Sequence, residues 1–386
     1  MGKAASRGVV SVMVLVVLIA CGGPGRDPPP TVPATAIAAG SGHSVASRAD
    51  GTVWAWGCNY DGQLGDGTTT HRLTPVHVTG LSDVTSITGG FIHSLAVRSD
   101  GTAWAWGSNS IGQLGDGTTT RRRTPVQVSG LSDVTSITAG AVHSLALLSD
   151  GTVWAWGENW FGQLGDGSTN DRLVPVQVSG LSDVTSITAG DRHSLALRPD
   201  GTAWAWGANG HGQIGDGSTT RRFTPVQVSG LTDVTSIAAG GHHTLALHSD
   251  GTAWAWGRNH SGQIGDGSTS SRFTPVQVCG LSDVTGIAGG LYHSLALRSD
   301  GTVWAWGQNE TGQLGDGTTT DRLTPVQVRD LSSVTSIAAG WYHSLALRSD
   351  GTVWAWGYNE HGQLGDGTTT DRLTPVQVVG LMDGSP

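Results

Sequence analysis

Several residue types are nearly missing from this 386-residue chain. There is one lysine, Lys3, and charged residues make up only 13% of the total, with a formal net charge of −9. No basic tract interrupts the body of the sequence. The electrostatic footprint of a nucleic-acid-binding protein is therefore absent. Cysteine occurs three times, at Cys21, Cys58 and Cys279, with no CxxC pair and no Cys/His cluster at metal-ligand spacing. That argues against a disulfide scaffold and a zinc site, and Cys58 and Cys279 are expected to be free thiols. No metal and no cofactor is expected. Phenylalanine, tyrosine and methionine are scarce, at four, four and three residues. The only long apolar run, Val9 to Ala20, is twelve residues, too short to cross a bilayer as a helix.

What the chain has instead is glycine, at 60 residues, and tryptophan, at 16. The glycines show no three-residue period, which excludes collagen. The mixture suits an all-β protein rich in tight turns.

The first thirty residues read as an address. Lys3 and Arg7 precede the apolar run, which ends in Leu18-Ile19-Ala20-Cys21. This resembles a bacterial lipoprotein signal peptide, residues 1–21, whose cysteine is acylated after cleavage. The resemblance implies lipid attachment at Cys21, in the cell envelope, with the outer membrane favoured because Gly22 and not aspartate follows. The alternatives are secretion after a plain signal cut, or a short anchor that stays uncut. Residues 22–33 carry five prolines and read as a solvated tether.

From about Ala34 to the end, residues 34–386, the chain repeats seven times with a period of fifty and no slips. Asp-Gly recurs from Asp50-Gly51 to Asp350-Gly351. Such periods mean solenoids or propellers. One copy holds four strands: Val84 to Thr88, His93 to Val97, Thr102 to Gly107 and Thr124 to Val128. A hairpin turn at Arg98 to Gly101 joins the second and third, and a long loop from Ser108 to Arg123 joins the third and fourth. Trp104 and Trp106 stand two apart, so they share a face, and the pair recurs in every copy. Burying one indole removes roughly 150–250 Å², a few kcal/mol gross at about 25 cal/mol per Å². The fourteen paired tryptophans are thus expected to pack blade against blade. Tight connections keep strands in one sheet, so the expected blade is the fourth strand of one copy with the first three of the next. On that reading Ala34 to Gly57 and Thr374 to Val378 together form the seventh blade. The expectation is an all-β, seven-bladed β-propeller closed by pairing its N- and C-terminal strands.

The unit Gly-x-x-His-Ser-Leu-Ala-Leu, then Asp-Gly-Thr-x-Trp-Ala-Trp-Gly-x-Asn-x-x-Gly-Gln-Leu-Gly-Asp-Gly, resembles the regulator-of-chromosome-condensation repeat; in the second copy it runs from Gly90 to Gly117. The resemblance covers all seven copies and implies a seven-bladed propeller. Members of that family include a guanine-nucleotide exchange factor for a nuclear GTPase, a plant ultraviolet receptor and a secreted bacterial β-lactamase inhibitor. Here every copy has the same length, which leaves no inserted wedge of the exchange-factor kind. Only Gly340-Trp341-x-His343 matches the receptor's Gly-Trp-x-His motif.

Candidate chemistry is sparse. The seven repeated histidines, His43 to His343, point by their equivalence to a hydrogen-bonded structural role. Asp116 and its equivalents read as turn residues. The arginines Arg72 to Arg372 read as clamps on the long loops. No serine–histidine–acid constellation rises above chance, and no set of acidic and basic residues is found breaking the repeat near the axis, so catalysis is not expected. The informative residues are those that vary between copies: the pair before each histidine and the residues flanking the constant asparagine. Both sites emerge at one rim. Of ten aromatics outside the tryptophan pairs, eight lie there: Tyr60, Phe91, Trp160, Phe161, Tyr292, Trp341, Tyr342 and Tyr358. The other two, Phe223 and Phe273, lie late in the long loop. With Ile92, the eight form the candidate partner-binding set. Variable, aromatic-rich loops on a rigid scaffold suit an interaction surface for a protein or a cell-wall polymer. The alternatives are an exchange-factor-like regulator or a secreted enzyme inhibitor. The molecule is expected to be a monomer, touching membrane only through its lipid.

Overall fold

The computed structural model describes residues 32–382, so Cys21, the 1–21 signal and all but the last two residues of the 22–33 tether lie outside the described residues. Within them the fold is all-β: 28 strands in seven four-stranded antiparallel sheets, with no helix. This is the expected seven-bladed propeller. The strands begin where the pattern places them. In the second copy they are Val84–Gly89, His93–Arg98, Ala103–Gly107 and Arg122–Gln127. The fourth starts two residues earlier than expected and takes the repeated arginine into the sheet.

One expectation is overturned. Every blade is a continuous stretch of one copy, in the order first, second, third, fourth. The strand Arg372–Gln377 does not join the N-terminal three. It pairs with Val353–Gly357 of its own copy, through Trp354↔Gln377, Ala355↔Val376 and Gly357↔Arg372. The N-terminal strands Ala34–Ala39, His43–Arg48 and Val53–Gly57 likewise share a sheet with Arg72–His77 of the first copy, which pairs with Val53–Gly57. The reason lies in the long loop, which is compact and returns in register. Asn109 donates from Nδ2 to Asp116 Oδ1 and to the carbonyls of Thr118 and Thr120, and its Oδ1 accepts from the Leu114 N–H. Asp116 also receives Arg122 Nη2 at 2.7 Å. Loop length reflects reach, not a change of sheet. The carbonyl of Gln113, inside this loop, accepts from Trp156 Nε1 in the next blade at 2.9 Å. The tight connection is the one that passes between blades.

No single central core exists. Seven clusters each span two neighbouring blades. One holds Val45, Val53, Ala55, Leu64, Val78 and Leu81 of the first blade with Ala96 and Trp106 of the second. The second tryptophan of each pair is fully buried, while the first is only partly buried except at Trp54. Between the last and first blades the same cluster recurs, with Leu345, Val353, Ala355, Leu364, Val378 and Leu381 against Trp54 and Trp56. The Trp56 indole donates to the Gln363 carbonyl at 2.9 Å, as Trp156 does to Gln113. The ring therefore closes by side-chain packing identical to every other joint. The innermost strands stand side by side around the axis, Ala34–Ala39 touching both Val84–Gly89 and Val334–Ala339.

It follows that the closing joint has no special fragility. Trp56→Ala and Trp206→Ala are each expected to cost about 3–5 kcal/mol, as for large buried aromatics generally. Equilibrium denaturation of the two variants tests this. A loss at Trp56 several kcal/mol larger than at Trp206 would restore a distinct closure.

Candidate functional site

The face that carries the variable residues is built on a hydrogen-bond ring. Each repeated histidine opens the second strand of its blade and is fully buried. Its Nε2 meets the hydroxyl of the residue after the next blade's histidine: His43 with Ser94 at 2.9 Å, His193 with Thr244 at 3.1 Å, and finally His343 with Ser44 at 3.0 Å. Each hydroxyl donates onward to a loop carbonyl, as Ser144 does to Gln113 at 2.9 Å. A hydroxyl that donates its one proton to a carbonyl must accept from the histidine, so Nε2 carries a proton. The Nδ1 atoms of all seven have no partner. Burial drives His93, His143, His193, His243, His293 and His343 down to about 3, and His43 to about 4. The glycine three residues before each histidine is obligatory. A Cβ on Gly90 would lie 2.3 Å from His93 Cε1 and 2.7 Å from the Gly140 carbonyl oxygen. The expected structural role of the histidines is therefore what the geometry shows.

Asp116 does more than turn the chain. Burial raises its carboxyl, but hydrogen bonds from Thr118 and Arg122 outweigh burial and hold it below the usual carboxylate value. The repeated arginines are the expected loop clamps, at 2.5–2.7 Å from their aspartates in all seven copies.

With these loops pinned, the two variable sites meet on one rim, as the Ser108 N–H bond to the Ile92 carbonyl at 2.9 Å illustrates. Phe91 and Trp341 stack across the axial mouth, with centroids 4.2 Å apart and planes 13° from parallel. From Trp341 the rings continue through Tyr342 (6.4 Å), which neighbours both Tyr292 (6.5 Å) and Tyr358 (6.3 Å). Tyr358 leads to His361, and His361 to Tyr60 and His71. On the other side Tyr292 leads to His242, His211 and His260. The Tyr358 hydroxyl donates to Glu360. Six candidate residues are thus gathered, five of them in an arc of direct ring-to-ring sequence and Tyr60 joined to them through His361. Trp160 and Phe161 stand apart from it: Phe161 is sandwiched between the guanidinium groups of Arg192 (4.8 Å) and Arg221 (4.4 Å). Ile92 is half-buried at the rim turn and outside the arc. Trp160 and Tyr60 are the most open of the set, 72% and 61% exposed.

Sequence reasoning missed the histidines. Five of the seven outside the repeated position, His71, His211, His242, His260 and His361, lie on this rim. Four of them, His211, His242, His260 and His361, sit at the same variable positions as the aromatics, where counting them as rings finds them; His71 lies late in the long loop. It also missed a charged set beside the axis. Asp191, Arg192 and His242 break the repeat there, with His242 Nε2 3.8 Å from Asp191 Oδ2 and Arg192 Nε 3.9 Å from Glu158 Oε2. Burial pushes Asp191 up to about 6, against the pull of Arg192 and of a hydrogen bond with Trp341. Burial, with the charges of His211, Arg258 and Arg192, holds His242 near 4. The axial cavity that Asp191 borders has a volume of about 160 Å³ and is otherwise lined mainly by glycines and alanines, together with Ser41, Thr88, Phe91, Thr138 and Trp341. That is below the roughly 300 Å³ at which sites for drug-sized ligands begin. Among the described residues no three His, Cys, Asp or Glu side chains converge as a metal site, and Cys58 and Cys279 are free.

Residues 174–385 match the RCC1-like domain. The regulator of chromosome condensation (RCC1) repeat is matched at residues 50–97, 100–147 and 150–197, and a second model of that repeat at 34–63, 84–113 and 134–163. The chain belongs to the RCC1 repeat family. Among solved structures, Prp20p of Saccharomyces cerevisiae, studied for its binding to Gsp1p and histones, is 25% identical with a TM-score of 0.77, covering 86% of each chain. Human WBSCR16 is 24% identical with a TM-score of 0.77, covering 85% of this chain and 94% of its own. The ectodomain of the Physcomitrella patens receptor kinase CR4 is more distant, at 19% identity and a TM-score of 0.54, over 85% and 75%.

Two pH effects of opposite sign follow. The ring histidines bind protons near 6.5 when unfolded but only near 3–4 when folded. Their stabilisation is complete above pH 6.5 and disappears as pH falls through about 4, so the guanidinium midpoint should drop steeply across that window. Asp191 opposes this. Its folded pKa, about 6, lies above the ordinary 3.8, so ionising it destabilises the fold at neutral pH and the penalty vanishes below about 4. Asp191→Asn should therefore add on the order of 2 kcal/mol at pH 7.5 and nothing near pH 4. Denaturant titrations of both proteins across pH measure each effect. A midpoint unchanged between pH 6.5 and 4 would sink the histidine account.

Proposed function

We propose that this protein is a non-catalytic binding scaffold that recognises a protein partner through the rim carrying Tyr60, Phe91, Ile92, Trp160, Phe161, Tyr292, Trp341, Tyr342 and Tyr358. The observation that supports it is the arc of aromatic and histidine rings on the one face where the seven otherwise uniform copies differ. Large amphipathic side chains on a rigid frame supply contact area at low entropic cost, and such residues are over-represented in the centres of protein interfaces. The 25% identical yeast relative is itself a protein studied for binding Gsp1p and histones, which favours a protein over a cell-wall polymer as partner. An exchange-factor-like regulator or an enzyme inhibitor would use the same kind of face. We further propose that the propeller is held at the cell envelope by a lipid on Cys21, on the strength of the apolar run that stops at that residue.

Capture from native envelope extract tests the rim. Residues 22–386, which keep every strand, are compared with the variant in which Trp160, Phe161, Trp341 and Tyr342 are alanine. A partner retained only by the parent chain is expected; equal capture by both would move the site off this rim. The anchor is tested separately by Cys21→Ser, which should shift the full-length protein from the membrane to the soluble fraction and abolish labelling by radioactive palmitate. Unchanged fractionation would remove the lipid from the account.

A further inference from the structure

The axial mouth is the one place on the rim where a carboxylate is put out of water without a cation to meet it. Asp191 stands at the first variable position, where the other copies have Ser41, Phe91, Ala141, Gly241, Leu291 and Trp341. Its side chain is 15% exposed and borders the axial cavity together with Ser41, Phe91 and Trp341. Aspartates are seldom buried unless paired. The groups that face it do not pair with it. Arg192 follows it in the chain, yet its guanidinium lies over Phe161 and within 3.9 Å of Glu158, and among the described residues no guanidinium nitrogen comes within salt-bridge range of Asp191. His242 approaches to 3.8 Å but is held neutral by its burial and by Arg192 and Arg258. Tyr342, whose own ionisation Asp191 opposes, is an uncharged phenol at neutral pH. Trp341 supplies a hydrogen bond but no charge.

The approach to this carboxylate is kept open. The neighbouring copy has Gly241, and a Cβ there would stand 3.2 Å from Asp191 Oδ2 and 2.4 Å from Leu291 Cδ1. The cavity, about 160 Å³, has room for several waters or one unbranched side chain, but is too small for a folded segment. Beside it stand the stacked rings of Phe91 and Trp341. A desolvated carboxylate next to aromatic faces, in a slot one side chain wide, offers the complement of a protonated amine or guanidinium.

We propose that the Asp191 slot at the axial mouth receives one cationic side chain, a lysine or arginine, presented by the protein partner. This deepens the rim reading and rests on it for the source of the cation. The partner's charge would supply the pairing that the propeller leaves unmade, and the surrounding rings would exclude water from the pair. The rim then sets area, while the slot sets register by admitting a single residue at the centre.

Small probes test the slot without any partner. Residues 22–386 are labelled with ¹⁵N-tryptophan, and the Trp341 indole signal is assigned by its loss in Trp341→Phe. The Nα-acetyl, N-methylamide derivatives of lysine, arginine, norleucine and glutamate are titrated in turn. The lysine or arginine derivative should shift the Trp341 signal saturably in the millimolar range. The norleucine and glutamate derivatives should not, and Asp191→Asn should weaken the response at least tenfold. An equal response to norleucine, an unaltered response in Asp191→Asn, or no response to either cation overturns the proposal. The two readings separate cleanly. Partner capture lost in the four-alanine variant, with an unresponsive Trp341, removes the slot and leaves the rim. A cation-responsive Trp341 with equal capture removes the rim and leaves the slot.

Discussion

The hydrogen bond from a buried, neutral histidine to a hydroxyl on the next blade is the constraint on which this propeller depends. It explains three otherwise separate features of the repeat. The glycine before the histidine must lack a side chain because the imidazole lies against it. The residue after the histidine must carry a hydroxyl, and Thr244 serves where the other copies use serine. The long loop must bring a backbone carbonyl to that hydroxyl, which is why Asn109, Asp116 and Arg122 are spent on holding the loop rigid. Because the tryptophan of the next blade donates to the same carbonyl, polar and apolar halves of each joint are set by one atom. Desolvation makes the uncharged imidazole part of the fold itself.

Much of this architecture was legible in the sequence, because the period and the alternation of the strands are local properties repeated seven times. The sheet type, the number of blades, the buried tryptophans and the clamping arginines could all be read from spacing. The blade boundary could not. Connection length suggests sheet membership, and by that measure the fourteen residues from 58 to 71 look like an excursion between sheets. Only the hydrogen bonds of Asn59, with Asp66 paired to Arg72, reveal that the excursion folds back on its own strand. Those contacts depend on side-chain direction, which spacing does not carry. The rim is legible as departures from the repeat, and aromatic side chains are only part of what departs. His211, His242 and His361 have the same positions and similar shape. Asp191 and Arg192 were also in view, but nothing in a linear pattern distinguishes an aspartate that will be desolvated at an axis from one on a turn.

The contrast between the two classes of residue gives the molecule its division of labour. Everything that recurs seven times is used in joints, and almost everything that varies is gathered at one end. Around the rim the surface changes character. Copies seven and one contribute tyrosines and histidines, copies three and four arginines and a glutamate about Phe161, and the axis a single desolvated acid. A scaffold held by identical joints tolerates such asymmetry because no joint relies on the side chains that differ.

The continuity of each blade bears on how the ring is put together. Since the first three strands pair with the fourth of their own copy, no sheet waits for a strand from the far terminus. A blade is complete about fifty residues after it begins, and it can dock at once on the one made before it. The only event deferred to the end of the chain is the meeting of His343 with Ser44 and of Trp56 with the Gln363 carbonyl, an encounter of two finished surfaces. The topology thus allows blades to be added one after another up to the last step. Whole units can be duplicated or removed as single cassettes, with ring circumference, and not strand pairing, limiting how many fit.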